Sequence, residues 1–352
     1  MAGARGQLIR TGLEALYFSG AHLVARPLLG GVGAILMLHH VRPARRDSFQ
    51  PNRLLEVTPE FLEHVIVHLR RKRIDLVSLD EVHARMSSGN FGRRFACFTF
   101  DDGYRDNLRY AYPILKKHQV PFAIYIPTSF PDQIGDLWWL TLEAVIARQP
   151  RIGLFMDGKE ERLVCMTTEE KYETFARLYW WLRGFPDEGE MRRVIRDLAQ
   201  RYGVDADAFC KELCMTWGEL TEIAADPLAT IGAHTVEHIM LKKASDAVAR
   251  NEMQQGAAVI EAALGKRPEH FAYPVGDPTS AGTRDFALAA ELGFKTAVTT
   301  RPGILFPEHR DHMTALPRIS LNGEYQRLRY VKVLLSGAPT LLWNRMRRVN
   351  VG

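Results

Sequence analysis

The stretch "FACFTFDDGYRDN", Phe95 to Asn107, runs an apolar, β-branched and aromatic segment straight into two adjacent aspartates and a glycine. Phe95 to Phe100 reads as a strand, ended by Asp101, Asp102 and Gly103. One Asp before Gly is ordinary turn chemistry. Two neighbouring carboxylates repel each other, so the pair calls for a group that neutralises one or uses the other.

Working outward, further short apolar runs of strand character occur: "AILMLHHV", "IDLVS", "FAIYIP", "LATIGAH", "EHFAYP", "KTAVTT" and "LPRISL". Helical patterns with readable starts lie between them. Thr58 caps a helix with Pro59 in its first turn, and Ser78 with Glu81, Thr167 with Glu170 and Thr216 with Glu219 form capping-box patterns. A helix from Ser245 to Leu264 stops at Gly265. Strand and helix in alternation predict an α/β fold with a parallel sheet, open or closed into a barrel. From about Asp132 to Asp226 the chain reads as mostly helical, an insertion that shapes a cleft on one face. The expected division is an amphipathic helical segment over 1–30, a main domain over 31–322 and an amphipathic helical tail over 323–352.

Composition excludes several classes. The 352 residues are 46% hydrophobic and 25% charged, as in globular proteins. A net charge of +5 is dilute, and no basic block with interleaved aromatics occurs, so nucleic acid is not an expected partner. Neither a dinucleotide fingerprint nor a phosphate loop is present. Cys97, Cys165, Cys210 and Cys214 read as buried thiols in a reducing compartment. The N-terminal stretch lacks signal-peptide character, and no run reaches the roughly 18 apolar residues of a spanning helix. The tail "YVKVLLSGAPTLLWNRMRRVN" joins an apolar stretch to Arg345, Arg347 and Arg348, which admits either packing on the domain or a bilayer interface. A cytoplasmic location with room for peripheral membrane contact is expected, and the sequence sets no oligomeric state.

Unusual residues collect at strand ends: "MLHH", "TFDDG", "GAHTVEH" and "AYPVG". In a parallel barrel these ends converge on one face. His234 and His238 are four residues apart, a spacing common in metal pairs, against the plainer reading of two unrelated histidines. A carboxylate from Asp101 or Asp102 would supply a third ligand and leave the other as a base, with an open position for water. "HTVEH" also fits the H-x-x-E-H pattern of inverted zinc peptidases, in which Glu237 would be the base and the motif would lie within a long helix.

"TFDDG", "HTVEH" and "FAYPVG", in this order, resemble the motifs of the polysaccharide deacetylase family (the NodB-homology, carbohydrate esterase family 4 group). "LMLHH" and "LPRISL" resemble the first and last strands of its branch with an early "LMYH" motif. The resemblance implies a distorted (β/α) barrel of seven or eight mostly parallel strands and metal-dependent removal of N-acetyl groups from amino sugars. Asp101 would be the general base. Asp102, His234 and His238 would hold one divalent ion, with zinc the first expectation. Val275 would offer a backbone N–H to the oxyanion, and Tyr273 and Pro274 either line the sugar site or form a buried pair. The family's late histidine acid is absent from "ALPRISLNG", which makes His39 the expected acid and His40 its alternative. The arginine that orients the base is replaced by Ala272, so that partner is expected to be missing. These two departures also admit a non-catalytic, carbohydrate-binding relic of the fold.

Overall fold

The computed structural model describes residues 4–351. Eight strands build the main sheet: β1 (Gly33–Leu38), β2 (Asp75–Leu76), β3 (Phe95–Phe100), β4 (Phe122–Ile126), β5 (Ala229–Ala233), β6 (His270–Ala272), β7 (Thr296–Pro302) and β8 (Leu316–Ser320). All of their pairings are parallel. Seven strands close a barrel in the order β1-β8-β7-β6-β5-β4-β3, with β3 returning to β1 from Gly33 beside Phe95 to Leu38 beside Phe100. β2 lies outside the ring, on the first two residues of β3. This is the distorted (β/α) barrel that the resemblance implies.

Every residue of β1, β3 and β4 is buried, because side chains point alternately into the barrel and under the surrounding helices. Helix Pro59–Arg71 starts where Thr58 Oγ1 accepts from the Phe61 N–H, and helix Asp246–Leu264 ends at Gly265, whose φ of 74° suits a residue without Cβ. The boxes at Thr167 and Thr216 are complete. At Ser78 only half forms, because the Glu81 carboxylate bonds Arg85 one turn on.

The insertion is not helical throughout. An antiparallel hairpin, Arg151–Met156 with Lys159–Val164, turns at Asp157-Gly158. Its helices and the hairpin share a second apolar core, built around Leu142, Ile146, Leu178 and Ile195. Helices Ala4–Phe18 and Ala21–Leu29 pack with Leu328–Leu334 and Ala338–Trp343 beside and beneath the barrel. No helix among the described residues is long and apolar enough to cross a membrane.

Candidate active site

In-register pairing of β1 with β3 brings His39 level with Asp101, whose N–H donates to the Leu38 carbonyl. From the other side of β1 comes Arg318 of β8, one of the largest fully buried side chains. Its Nη1 and Nη2 donate to Asp101 Oδ1 and Oδ2 at 2.7 and 2.6 Å, and its Nε donates to the Thr299 carbonyl at 2.9 Å. Burial pushes the Asp101 carboxyl up, but the Arg318 guanidinium outweighs it and holds the group below the usual range. Ala272 does leave its own position without charge. The expectation that Asp101 has no orienting partner is nevertheless wrong, since Arg318 reaches the same carboxylate from another strand. An arginine inside the otherwise apolar run "LPRISL" was the available signal.

Asp102, with φ of 71°, turns its carboxylate away from Asp101 toward two imidazoles. Its Oδ1 lies 3.5 Å from His234 Nε2 and 3.3 Å from His238 Nε2. Burial would raise the Asp102 carboxyl, and the imidazoles of His238 and His234 outweigh it and hold it well below its usual range. These residues fit a divalent ion on three counts. Oδ1 is buried without a hydrogen-bond partner. His234 Nδ1 lies 2.7 Å from the Ala272 carbonyl, which can only accept, so the proton sits on Nδ1 and the Nε2 lone pair faces Asp102. Ligand atoms about 2.1 Å from a tetrahedral ion would be about 3.4 Å apart, close to the observed spacings.

The turn carrying both histidines is strained and braced. Thr235 and His238 take φ of 68° and 55°. Glu252, from helix Asp246–Leu264, accepts from the N–H groups of Val236 and Glu237 at 2.9 Å each. His234 to His238 is therefore a loop and not the long helix an H-x-x-E-H peptidase needs. The Glu237 carboxylate lies toward Arg192, at 4.0 Å.

His39 and His40 part company as strand neighbours must. His39 Nε2 sits 3.8 Å from Asp101 Oδ2, and burial, against the pull of Asp101, holds its imidazole below its usual range. His40 Nδ1 bonds Asp106 Oδ2 at 2.6 Å, and its ring stacks on Tyr104. Trp139, on the insertion helix Trp138–Arg148, lies with its ring centre 5.3 Å from that of His238. The insertion thus reaches the cluster directly.

In the third motif, Tyr273 is placed in the core. Its ring packs on Phe271 and Phe286, and its hydroxyl donates to the Thr314 carbonyl. Pro274 is buried beside it. Val275 differs: its φ is 61°, and Thr300 Oγ1 donates to its carbonyl, fixing the turn after β6.

A polysaccharide deacetylase family model matches residues 88–147 and 187–297, leaving out the hairpin and the helix that follows it. Among solved structures, the chain resembles the Streptococcus pyogenes deacetylase PplD, in complex with acetate, at 19% identity and a TM-score of 0.54, over 82% of this chain and 92% of that one. It also resembles IcaB from Ammonifex degensii (16% identity, TM-score 0.53, 87% and 97% covered). A de-N-acetylase from Aggregatibacter actinomycetemcomitans is similar at 13% identity (TM-score 0.54, 86% and 99% covered). No curated protein matches the sequence. Family match and barrel agree in likening the chain to the polysaccharide deacetylase family.

Proposed function

We propose that this chain is a metal-dependent N-deacetylase of amino sugars, acting on an oligosaccharide, a polysaccharide or a lipid-linked glycan. One observation carries the reading: an ion-paired carboxylate, a three-ligand cluster and a histidine meet on one rim of the barrel. The relic reading drew on a missing partner for Asp101, and Arg318 supplies one.

Asp102, His234 and His238 would hold the ion, zinc by donor set, which would polarise the acetamide carbonyl and favour ionisation of water. Asp101 accepts a proton from the attacking water as the water oxygen bonds to the carbonyl carbon. Arg318 fixes the direction of that carboxylate and keeps it ionised at neutral pH. The C–N bond then breaks, acetate departs, and the sugar nitrogen needs a proton, since an amide anion is too basic to leave. His39 is the donor. Its burial favours the neutral ring at rest, so its proton arrives during turnover, and the adjacent Asp101 is its source. The Val275 N–H serves the oxyanion, a contribution of about 3 to 4 kcal/mol in comparable sites. Tyr273 and Pro274 shape this turn from beneath. The free, buried thiols suit a reducing compartment, so a cytoplasmic location belongs to the reading.

The test is metal analysis of the purified chain together with acetate release from chito-oligosaccharides. The reading requires one divalent ion per chain and acetate from wild type, with neither from Asp102→Ala. A chain that takes up no ion even after zinc loading sinks it.

A further inference from the structure

The face opposite the catalytic rim has a chemistry of its own. Helix Ala21–Leu29 feeds β1, Lys72 and Ile74 precede β2, and Arg94 precedes β3, so these residues surround the N-terminal ends of the strands. They frame a cavity of about 420 Å³ lined by Tyr17, Arg26, His68, Lys72, Arg94 and Lys332 among others, with no carboxylate in its wall. Among the described residues no Asp or Glu lies within ion-pair distance of Arg26, Lys72, Arg94 or Lys332, although the chain pairs many of its other cations. Arg94 spends Nη2 on the carbonyls of Gly30 and Leu335, while its Nε and Nη1 are buried without a partner. Burial, and then the charges of Lys332, Lys72 and Arg26, hold the His68 imidazole below its usual range. Uncompensated positive charge around a cavity attracts an anion.

Beside this cavity lies an unpartnered apolar face. Leu23, Val24 and Leu28 of helix Ala21–Leu29 are exposed, Val24 by 78% and Leu28 by 73%. Helix Ala338–Trp343 packs on it so closely that a Cβ on Gly337 would meet the Leu29 carbonyl oxygen. The second helix and the residues after it expose Leu342, Trp343 and Met346, interleaved with exposed Arg345, Arg347 and Arg348. A solvent-facing apolar face carrying Trp, flanked by arginines and a cationic cavity, has the composition of an interfacial membrane anchor.

We infer that the N-terminal end of the barrel docks on an anionic bilayer, with Leu23, Val24, Leu28, Leu342 and Trp343 in the interface and a lipid phosphate in the cavity between Arg26, Lys72, Arg94 and Lys332. Charge complementarity selects a lipid phosphate: it supplies the anion that the cavity lacks and the hydrocarbon that the helices face. The inference stands apart from the reaction, because none of these residues touches the catalytic rim.

Flotation of the full chain with phosphatidylcholine vesicles, alone or containing phosphatidylglycerol, tests it. The chain should float with the anionic vesicles and not with the neutral ones. Leu23→Asp with Leu28→Asp should lower that binding at least about tenfold, as should Lys72→Glu with Lys332→Glu. Both pairs should leave the thermal melt nearly unchanged and metal content unchanged, since the leucines are exposed, neither lysine bonds a carboxylate, and Lys332 gives up only its place over the Tyr17 ring. Absence of binding to anionic vesicles overturns the inference, as does binding that either pair leaves intact. A dimer dissolved by the leucine pair, or stabilisation by inorganic phosphate without vesicle binding, would overturn it in favour of another occupant.

Discussion

Arg318 and Asp101 stand 217 positions apart in the chain and meet through two parallel hydrogen bonds, both under 2.8 Å. The fork fixes the carboxylate in plane, and the Thr299 carbonyl fixes the fork. Removing one partner leaves a buried charge unpaired. Arg318→Met is expected to cost about 3 to 5 kcal/mol of stability, and Asp101→Asn in the same chain to recover much of it. Denaturant melts of the two single variants and the double variant measure this. Additive losses would show that the pair is not coupled. Arg318→Lys should keep more stability yet lose about tenfold or more in acetate release, because an ammonium cannot hold both oxygens.

The two neighbouring histidines should separate by readout. His39→Ala is expected to lower acetate release by roughly 10² to 10⁴ while barely moving the melt. His40→Ala removes a buried partner of Asp106 and should cost about 1 to 3 kcal/mol. Equal effects of the two changes on turnover would exclude His39 as the acid.

Acid should act on both stability and rate. The His39 ring sits below its usual range, so the folded state takes up fewer protons than the unfolded chain once pH falls below about 6.5. Its burial costs nothing above that pH and progressively more below it. Asp101, held low by Arg318, adds a loss of the same sign at still lower pH, below about 3.9. Stability should therefore decline on acidification, and His39→Gln should flatten the upper part of the decline. The same neutral ring predicts that kcat/KM reaches its acid-side plateau before pH 6.5, a point a pH–rate profile checks directly.

Helix Asp246–Leu264 holds the histidine loop by a carboxylate and by a missing side chain. Glu252→Ala frees two loop N–H groups and should weaken metal retention about tenfold, with Glu252→Gln intermediate. Gly256→Ala would gain about 1 kcal/mol in helix propensity. Its Cβ, however, would lie 2.8 Å from the Thr235 carbonyl oxygen, which is held between the two histidines of the cluster. The clash should win, so the melt falls and metal is lost more readily to a competing chelator. A stabilised variant with unchanged affinity would show that the loop gives way freely.

The strands were legible because a closed parallel barrel buries both faces of each, turning them into short apolar runs with charges held to their ends. Asp101, Asp102, His234 and His238 were legible for the same reason, at the ends where polar residues stand out. Arg318 was not, because its partner is distant in sequence and only the closure of β8 onto β1 brings its side chain within reach of Asp101. His39 and His40 could not be told apart until the β1–β3 register fixed which ring faces the barrel axis. The hairpin carried its signal in Asp157-Gly158 and in alternating burial along Arg151–Met156, but charged Lys159 to Arg162 obscured the second strand.

The closing strand also sets an order of events during synthesis. His234, His238, Asp101 and Asp102 all precede Leu316 in the chain, so the cluster proposed to hold the ion is synthesised before β8. What the chain lacks until then is the guanidinium that orients and ionises Asp101. On the proposed roles, the groups for holding an ion and the group that orients the base belong to different stretches of the chain, and the second comes with the strand that seals the barrel.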